Sequence, residues 1–209
     1  MRIFHDKQKG FTLVEMLVAI AVFMSIMVIA AGSIVNIINQ NKKAQKVKSV
    51  IDNVTFALDS ISREVRMGTE YRCSVNEGVD FLDECDGSGG IYGKYFEYKN
   101  QSGASYVQYR FVSAPENVGD GNIQQRTCTS PHPNCSGTWQ SITAPTSTVN
   151  ITNMTFYVLG TGTEDLPAGS KEQPRVIITA EGLVVDKDGT ETKFSLQTTV
   201  SQRVRQSYY

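Results

Sequence analysis

Three groups of residues in this chain have the types that do chemistry, and the first is one carboxylate in an apolar setting. Between Leu13 and Ile38 the sole ionisable residue is Glu15. A carboxylate inside a membrane helix costs at least a few kcal/mol, so Glu15 calls for a cationic partner and a task. The second group is the cysteines Cys73, Cys85, Cys128 and Cys135, which allow three pairings. The short-loop pairing, Cys73 with Cys85 and Cys128 with Cys135, is the expected one, because it would staple two glycine-rich loops with little core of their own. Zinc is a rival, but the spacings C-x11-C and C-x6-C do not match short C-x2–4-C knuckles. Free buried thiols are the remaining option. The third group is histidine, represented only by His5 and His132. A Ser-His-Asp arrangement would rest on His132 alone, which sits between Pro131 and Pro133. No phosphate-cradling glycine loop precedes a helix, and H-E-x-x-H does not occur. The chain therefore reads as a non-enzyme with no catalytic residues.

The element that positions Glu15 is a long apolar helix. Leu13 to Ile38 is roughly 26 residues, or about 39 Å of helix, enough to cross a hydrocarbon core of about 30 Å with some tilt. A cleaved secretory signal would have a shorter apolar core, of about 7–15 residues, and a clear small-residue site. Ala30-Ala31-Gly32-Ser33 resembles such a site only faintly. Lysines flank the run on both sides, with Lys7 and Lys9 before it and Lys42, Lys43, Lys46 and Lys48 after it. The positive-inside rule thus gives no clear orientation. The helix does not stop at the membrane. Residues 12–67 lack proline, and Val47, Ile51, Val54, Leu58, Ile61 and Val65 recur at spacings of three and four, an amphipathic stripe. Gly68 is the expected stop signal. The whole helix would be roughly 55 residues, about 80–85 Å long. Arg63, Glu64 and Arg66 read as a solvated helix face.

The segment Lys9-Gly10-Phe11-Thr12-Leu13-Val14-Glu15-Met16-Leu17-Val18 closely resembles the signal of type IV prepilins and type II secretion pseudopilins. The resemblance in motif covers about the first 30 residues. It implies that a prepilin peptidase cuts after Gly10 and N-methylates Phe11. It also implies that the apolar run is kept, as a single-pass anchor in the inner membrane and then as filament core. It places the N-terminus in the cytoplasm and the C-terminal domain outside. Cleavage would leave the Phe11 ammonium about 6 Å of helix rise from Glu15. In a staggered stack of such helices Glu15 would pair with a neighbour's ammonium. An unpaired buried charge is strongly unfavourable, so that pair would set the register. Phe56-Ala57-Leu58-Asp59-Ser60-Ile61-Ser62-Arg63-Glu64-Val65-Arg66 is a fainter echo, similar to the helix end of J-type minor pseudopilins and W-type minor pilins.

Several pilin-like proteins bind calcium, which makes the acidic clusters relevant. Asp80, Asp83, Glu84 and Asp86-Gly87 are dense but do not fit the EF-hand pattern, and Asp186, Asp188 and Glu191 lie in a turn. Turn chemistry and solvation explain both, so no cofactor is expected, with calcium the one candidate. The formal net charge is −1. Losing residues 1–10 removes three positive charges and one negative, which leaves about −3. That balance argues against a dedicated nucleic-acid surface.

From about residue 69 the apolar period shifts from helical to alternating. Tyr95–Lys99 and Ser105–Val112 read as a hairpin, with Val107, Tyr109 and Phe111 on one face. Val149–Leu159 is another strand candidate, with Met154, Phe156 and Val158 on one side. Arg175–Val185 and Thr190–Val200 flank Asp188-Gly189, a hairpin signal. Five to seven mostly antiparallel strands are expected, forming a sheet covered on one face by the amphipathic half-helix. Pro115–Thr148 and Gly160–Pro174 read as long surface loops.

The expected fold is α+β, pilin-like. Residues 1–10 are a leader, 11–38 the membrane and filament helix, 39–68 its amphipathic continuation, and 69–209 an external β-rich domain. The expected function is that of a minor pilin or pseudopilin, at a tip or as initiator. Its partners would be the prepilin peptidase, other pilins, an assembly platform and the membrane. Two alternatives remain. One is an adhesin-like or DNA-capturing subunit that uses the Cys128–Cys135 loop, which an exposed aromatic patch near Trp139 would favour. The other is a single-pass membrane protein with no filament role.

Overall fold

The computed structural model describes residues 10–76, 80–88, 91–113, 121–143, 150–161, 173–185 and 189–203. The chain divides into two compact units, residues 1–45 and 46–209. One helix, α1 (Leu13–Arg66), contributes to both.

In the first unit, the large apolar side chains of α1 from Leu13 to Ile38 are exposed. The best 18-residue window of α1 has a mean hydropathy of 2.6, sufficient to cross a membrane. Ser25 and Ser33 turn their hydroxyls back to the carbonyls of Ala21 and Ile29, at 2.9 and 3.0 Å. Their polar atoms are thereby satisfied within the helix.

In the second unit, α1 buries Val50, Val54, Ala57, Leu58, Ile61 and Val65. Spacings of three and four put these on one stripe. The stripe is rotated slightly from the expected one, since Val50 and Ala57 are buried while Ile51 is only half-buried. The helix end is closely satisfied. Gly68 N–H donates to the Val65 carbonyl at 2.9 Å, Tyr71 OH to the same carbonyl at 2.6 Å, and Arg203 N–H to the Arg66 carbonyl at 2.8 Å. The last turn's carbonyls would otherwise lack partners. Gly68 is required by close approach, because a Cβ there would lie 2.2 Å from the Tyr98 ring.

Among the described residues eight strands follow, in two antiparallel sheets rather than the single sheet of five to seven strands expected. β1 (Thr69–Ser74), β2 (Tyr95–Lys99), β3 (Tyr106–Val112), β4 (Asn122–Cys128) and β5 (Gln140–Ser141) form one sheet in that order. β6 (Asn150–Leu159), β7 (Arg175–Val185) and β8 (Glu191–Ser201) form the other. Three strands of the first sheet, β1, β4 and β5, are not singled out by sequence periodicity, and the longest of them is β4. It lies within Pro115–Thr148, which sequence composition marks as loop. Only Ile123 and Cys128 are apolar in β4, so periodicity cannot reveal it. Its place is fixed by a seven-residue register with β3, from Tyr106↔Cys128 to Val112↔Asn122. Residues 114–120 and 144–149, at the two ends of that region, and residues 162–172 of the second loop lie outside the described residues.

Alternation decides which side chains enter the core. Phe96 and Tyr98 on β2, Val107 and Tyr109 on β3, and Ile123 on β4 share a cluster with the α1 stripe. Met154, Phe156 and Val158 on β6 and Val176, Ile178 and Ala180 on β7 complete it. Phe156 stacks on Phe96 at 5.5 Å between ring centroids, joining the contributions of the two sheets. The segment before β2 also links them, through isolated bridges of Cys85 with Val158 and of Gly93 with Phe156. Truncating the fully buried Phe156 to Ala should destabilise the second unit by about 3–5 kcal/mol. Lys193→Ala, on the exposed face of β8, should stay within about 0.5 kcal/mol of wild type. Thermal or denaturant unfolding of both variants checks the contrast.

Candidate processing and assembly site

Gly10, Phe11 and Thr12 precede α1 in non-helical backbone. Phe11 is 79% exposed, and a Cβ on Gly10 would meet nothing within 4 Å. The Gly10–Phe11 peptide bond is therefore exposed and lies outside the helix, free of the helical hydrogen bonds that shield a backbone from attack. Thr12 begins the helix. Its Oγ1 accepts the Glu15 N–H at 3.3 Å, and its carbonyl accepts the Met16 N–H at 3.2 Å. Thr12 thus occupies the N-cap, with Glu15 three residues on, the positions of a capping box. Glu15 is exposed in the first turn of α1, where the helix dipole favours a carboxylate.

The second unit holds two other carboxylates in specific settings. Glu64 corrects the sequence reading of a purely solvated face. Its Oε2 accepts from Tyr98 OH at 3.2 Å, Tyr109 OH at 2.8 Å and Gln125 Nε2 at 3.0 Å. The helix is thereby tied to β2, β3 and β4 at one oxygen. Burial pushes the Tyr98 and Tyr109 phenols well above their usual range, and the Glu64 charge adds to that. Both hydroxyls therefore stay protonated and able to donate.

Glu97 lies on the opposite face of the same sheet and is fully buried. Arg72, Glu97, Gln108 and Arg126 are successive cross-strand partners on β1 to β4. Glu97 pairs with Arg72 and accepts from Gln108 Nε2. Gln108 Oε1 accepts from Arg126 Nε at 2.7 Å. His132 closes the row from above, donating its backbone N–H to Glu97 Oε2 at 2.9 Å. A buried carboxylate is tolerable only when paired and hydrogen-bonded in this way. Nothing in the sequence marks Glu97, since its partners lie 11, 25 and 35 residues away in sequence.

The cysteines form the short-loop pairs. Cys73 bonds Cys85 with Cα atoms 6.3 Å apart, and Cys128 bonds Cys135 at 5.2 Å. The acidic residues near Cys85 are engaged locally. Glu84 Oε1 accepts from the N–H groups of Gly160 and Thr161, and both oxygens of Asp86 accept from Ser88. Among the described residues no group of three His, Cys, Asp or Glu side chains is placed to hold a metal ion. Asp186 and Asp188 lie outside the described residues. Trp139 is half-buried beneath two cations, with the Arg110 and Arg126 guanidinium carbons 4.2 and 4.3 Å from its ring centroid. Among the described residues it does not stand in an open aromatic patch.

The family model of the prokaryotic N-terminal methylation motif matches residues 5–31. No curated protein and no solved structure matches the chain. The chain thus carries a type IV pilin-like prepilin signal, the mark of a family of structural proteins. The signal implies processing by a prepilin peptidase and assembly with other pilins. The exposed apolar helix behind it suits a membrane anchor.

Glu70 offers a pH test of the second unit. It adopts φ 53° in the irregular start of β1 and is held by Lys99 Nζ at 2.9 Å and Tyr106 OH at 3.1 Å. Desolvation alone would raise its carboxyl. The hydrogen bonds from Lys99 and Tyr106 and the nearby Lys99 and Arg72 charges outweigh it, and the net shift is downward. A folded-state value below the unfolded one gives stability that is present above the unfolded pKa and lost as pH falls through the folded pKa. Wild type should therefore exceed Glu70→Gln in stability at neutral pH. The gap should close as pH falls through the acidic range, as read by denaturant unfolding at several pH values.

Proposed function

We propose that this chain is a minor pilin or pseudopilin, a non-enzymatic subunit of a type IV pilus or a type II secretion pseudopilus. The observation that carries the reading is the methylation-motif match at residues 5–31, set on a continuous helix whose apolar side chains are exposed. In this reading residues 1–10 are a cytoplasmic leader removed after Gly10, and Phe11 becomes the methylated N-terminus. Residues 11–38 anchor the chain by a single pass in the inner membrane and later pack in the filament. Residues 39–68 continue the helix, and residues 69–209 form the external domain. The partners are the prepilin peptidase, other pilins or pseudopilins, and the assembly platform.

Glu15 has two tasks in this account. Its place in the first turn of α1 stabilises the helix start. In the assembled state its charge pairs with the Phe11 ammonium of a neighbouring subunit and penalises every other register. The large two-sheet outer domain suits a tip or initiator position, of the J or W type, better than a dense repeating lattice.

Glu15→Ala should be processed at Gly10 and retained in the membrane but fail to enter filaments. Glu15→Asp should retain part of the incorporation. Immunoblots of membrane and sheared-filament fractions distinguish these outcomes, and full incorporation of Glu15→Ala would remove the register role.

A further inference from the structure

We propose that the Cys128–Cys135 disulfide is a redox-governed clasp holding residues 129–141 over the far face of the five-stranded sheet. Cys128 is the last residue of β4, and the disulfide turns the chain back at once. The Asn134 N–H closes that turn on the Pro131 carbonyl at 3.0 Å. At its crest the His132 N–H reaches the buried Glu97, and the His132 ring lies 4.9 Å from that of Phe81. The return path runs close to β4, since a Cβ on Gly137 would lie 2.3 Å from the Thr127 carbonyl oxygen. Trp139 then lies against Arg110 and Arg126, and β5 adds two residues to the sheet through Gln124↔Ser141 and Gln125↔Gln140.

Among the described residues these noncovalent fastenings are few and mostly polar. None of residues 129–141 is fully buried, so little apolar burial holds the segment down. Segments with few buried contacts open at far lower free energy than the core. The disulfide shortens the free chain and keeps the other contacts within reach. Once it opens, Glu97 loses the His132 N–H and Trp139 leaves its cations.

The two disulfides differ in access. Cys73 and Cys85 are both fully buried, and Cys128 is 4% exposed, whereas Cys135 is half-buried. A dithiol reductant therefore reaches Cys135 first. Its thiolate attacks Cys135 Sγ and breaks the S–S bond, and Cys128 leaves as a thiolate that takes a proton. The second thiol of the reductant, as its thiolate, attacks the mixed disulfide, releases Cys135 as a thiol and closes to a cyclic disulfide. The protein gains two electrons and two protons, both from the dithiol. Exposure governs such exchange together with thiolate reactivity.

Trp139 is the chain's single tryptophan and so reports on this segment alone. The test titrates the full chain, in detergent micelles, with dithiothreitol. Free thiols are trapped with iodoacetamide and mapped by mass spectrometry, while Trp139 emission, its iodide quenching and far-ultraviolet dichroism are recorded. Cys128 and Cys135 should be alkylated at dithiothreitol concentrations that leave Cys73 and Cys85 paired. Trp139 emission should move to longer wavelength and its quenching rise several-fold in the same range, with the dichroism almost unchanged. The doubly substituted Cys128→Ser, Cys135→Ser chain should show the shifted emission without reductant and no response to it. Unchanged Trp139 signals after both thiols are trapped would overturn the proposal. So would simultaneous release of all four cysteines, or wild-type emission in the serine variant.

Discussion

The rest of the structure depends on one constraint: the apolar surface between Phe11 and Ile38 has to leave water, and the described residues of the chain do not cover it. Burying a large aliphatic or aromatic side chain contributes about 1.5–3 kcal/mol. Summed along this stretch, the unmet burial far exceeds the few kcal/mol by which ordinary domains are stable. A membrane satisfies it, and so does a bundle of like helices. Glu15 is compatible with both only near the helix start, where the N-cap and the dipole offset part of the cost of its charge and where the proposed cleavage would add a nearby ammonium. The exposed, non-helical Gly10–Phe11 bond immediately before that start is where the proposed processing would create the ammonium.

The second unit meets its own burial requirement. Its stripe from Val50 to Val65 and the inward faces of both sheets form one core. Two carboxylates organise the polar groups on either side of the first sheet. Glu64 comes from the helix and gathers two tyrosines and a glutamine from three strands. Glu97 comes from the sheet and is enclosed by an arginine, a glutamine and a loop N–H. In both cases hydrogen-bond satisfaction limits the arrangement more tightly than apolar contact does, because an unpaired member would be costly where water is excluded. The disulfide-closed loop over Glu97 belongs to that second set and is its most exposed part.

Much of this was legible in the chain itself, for identifiable reasons. The helix, its length and its change of character follow from the proline-free stretch, the uncharged run and the three-and-four spacing beyond Val47. The hairpin of β2 and β3 and the strands β6, β7 and β8 show as alternating apolar residues such as Tyr109 and Phe156. β4 was not legible, because Asn122-Ile123-Gln124-Gln125-Arg126-Thr127 owes its place to cross-strand polar partners rather than to periodicity. For the same reason Glu64 reads as a surface residue in sequence and Glu97 as one more strand charge, since their partners come together only in the fold. The motif of the N-terminal segment, in contrast, is local, and that is why processing can be read from the sequence while the duties of the outer unit cannot.

The central claim is that the chain is cut and kept, so that its apolar helix is passed from membrane to assembly. Mass spectrometry of the mature N-terminus, on protein recovered from cells that contain a prepilin peptidase, tests this most directly. The account predicts a chain beginning at Phe11 and carrying one methyl group on its α-amine. A chain that retains residues 1–10, or one cut beyond the apolar run, would contradict it.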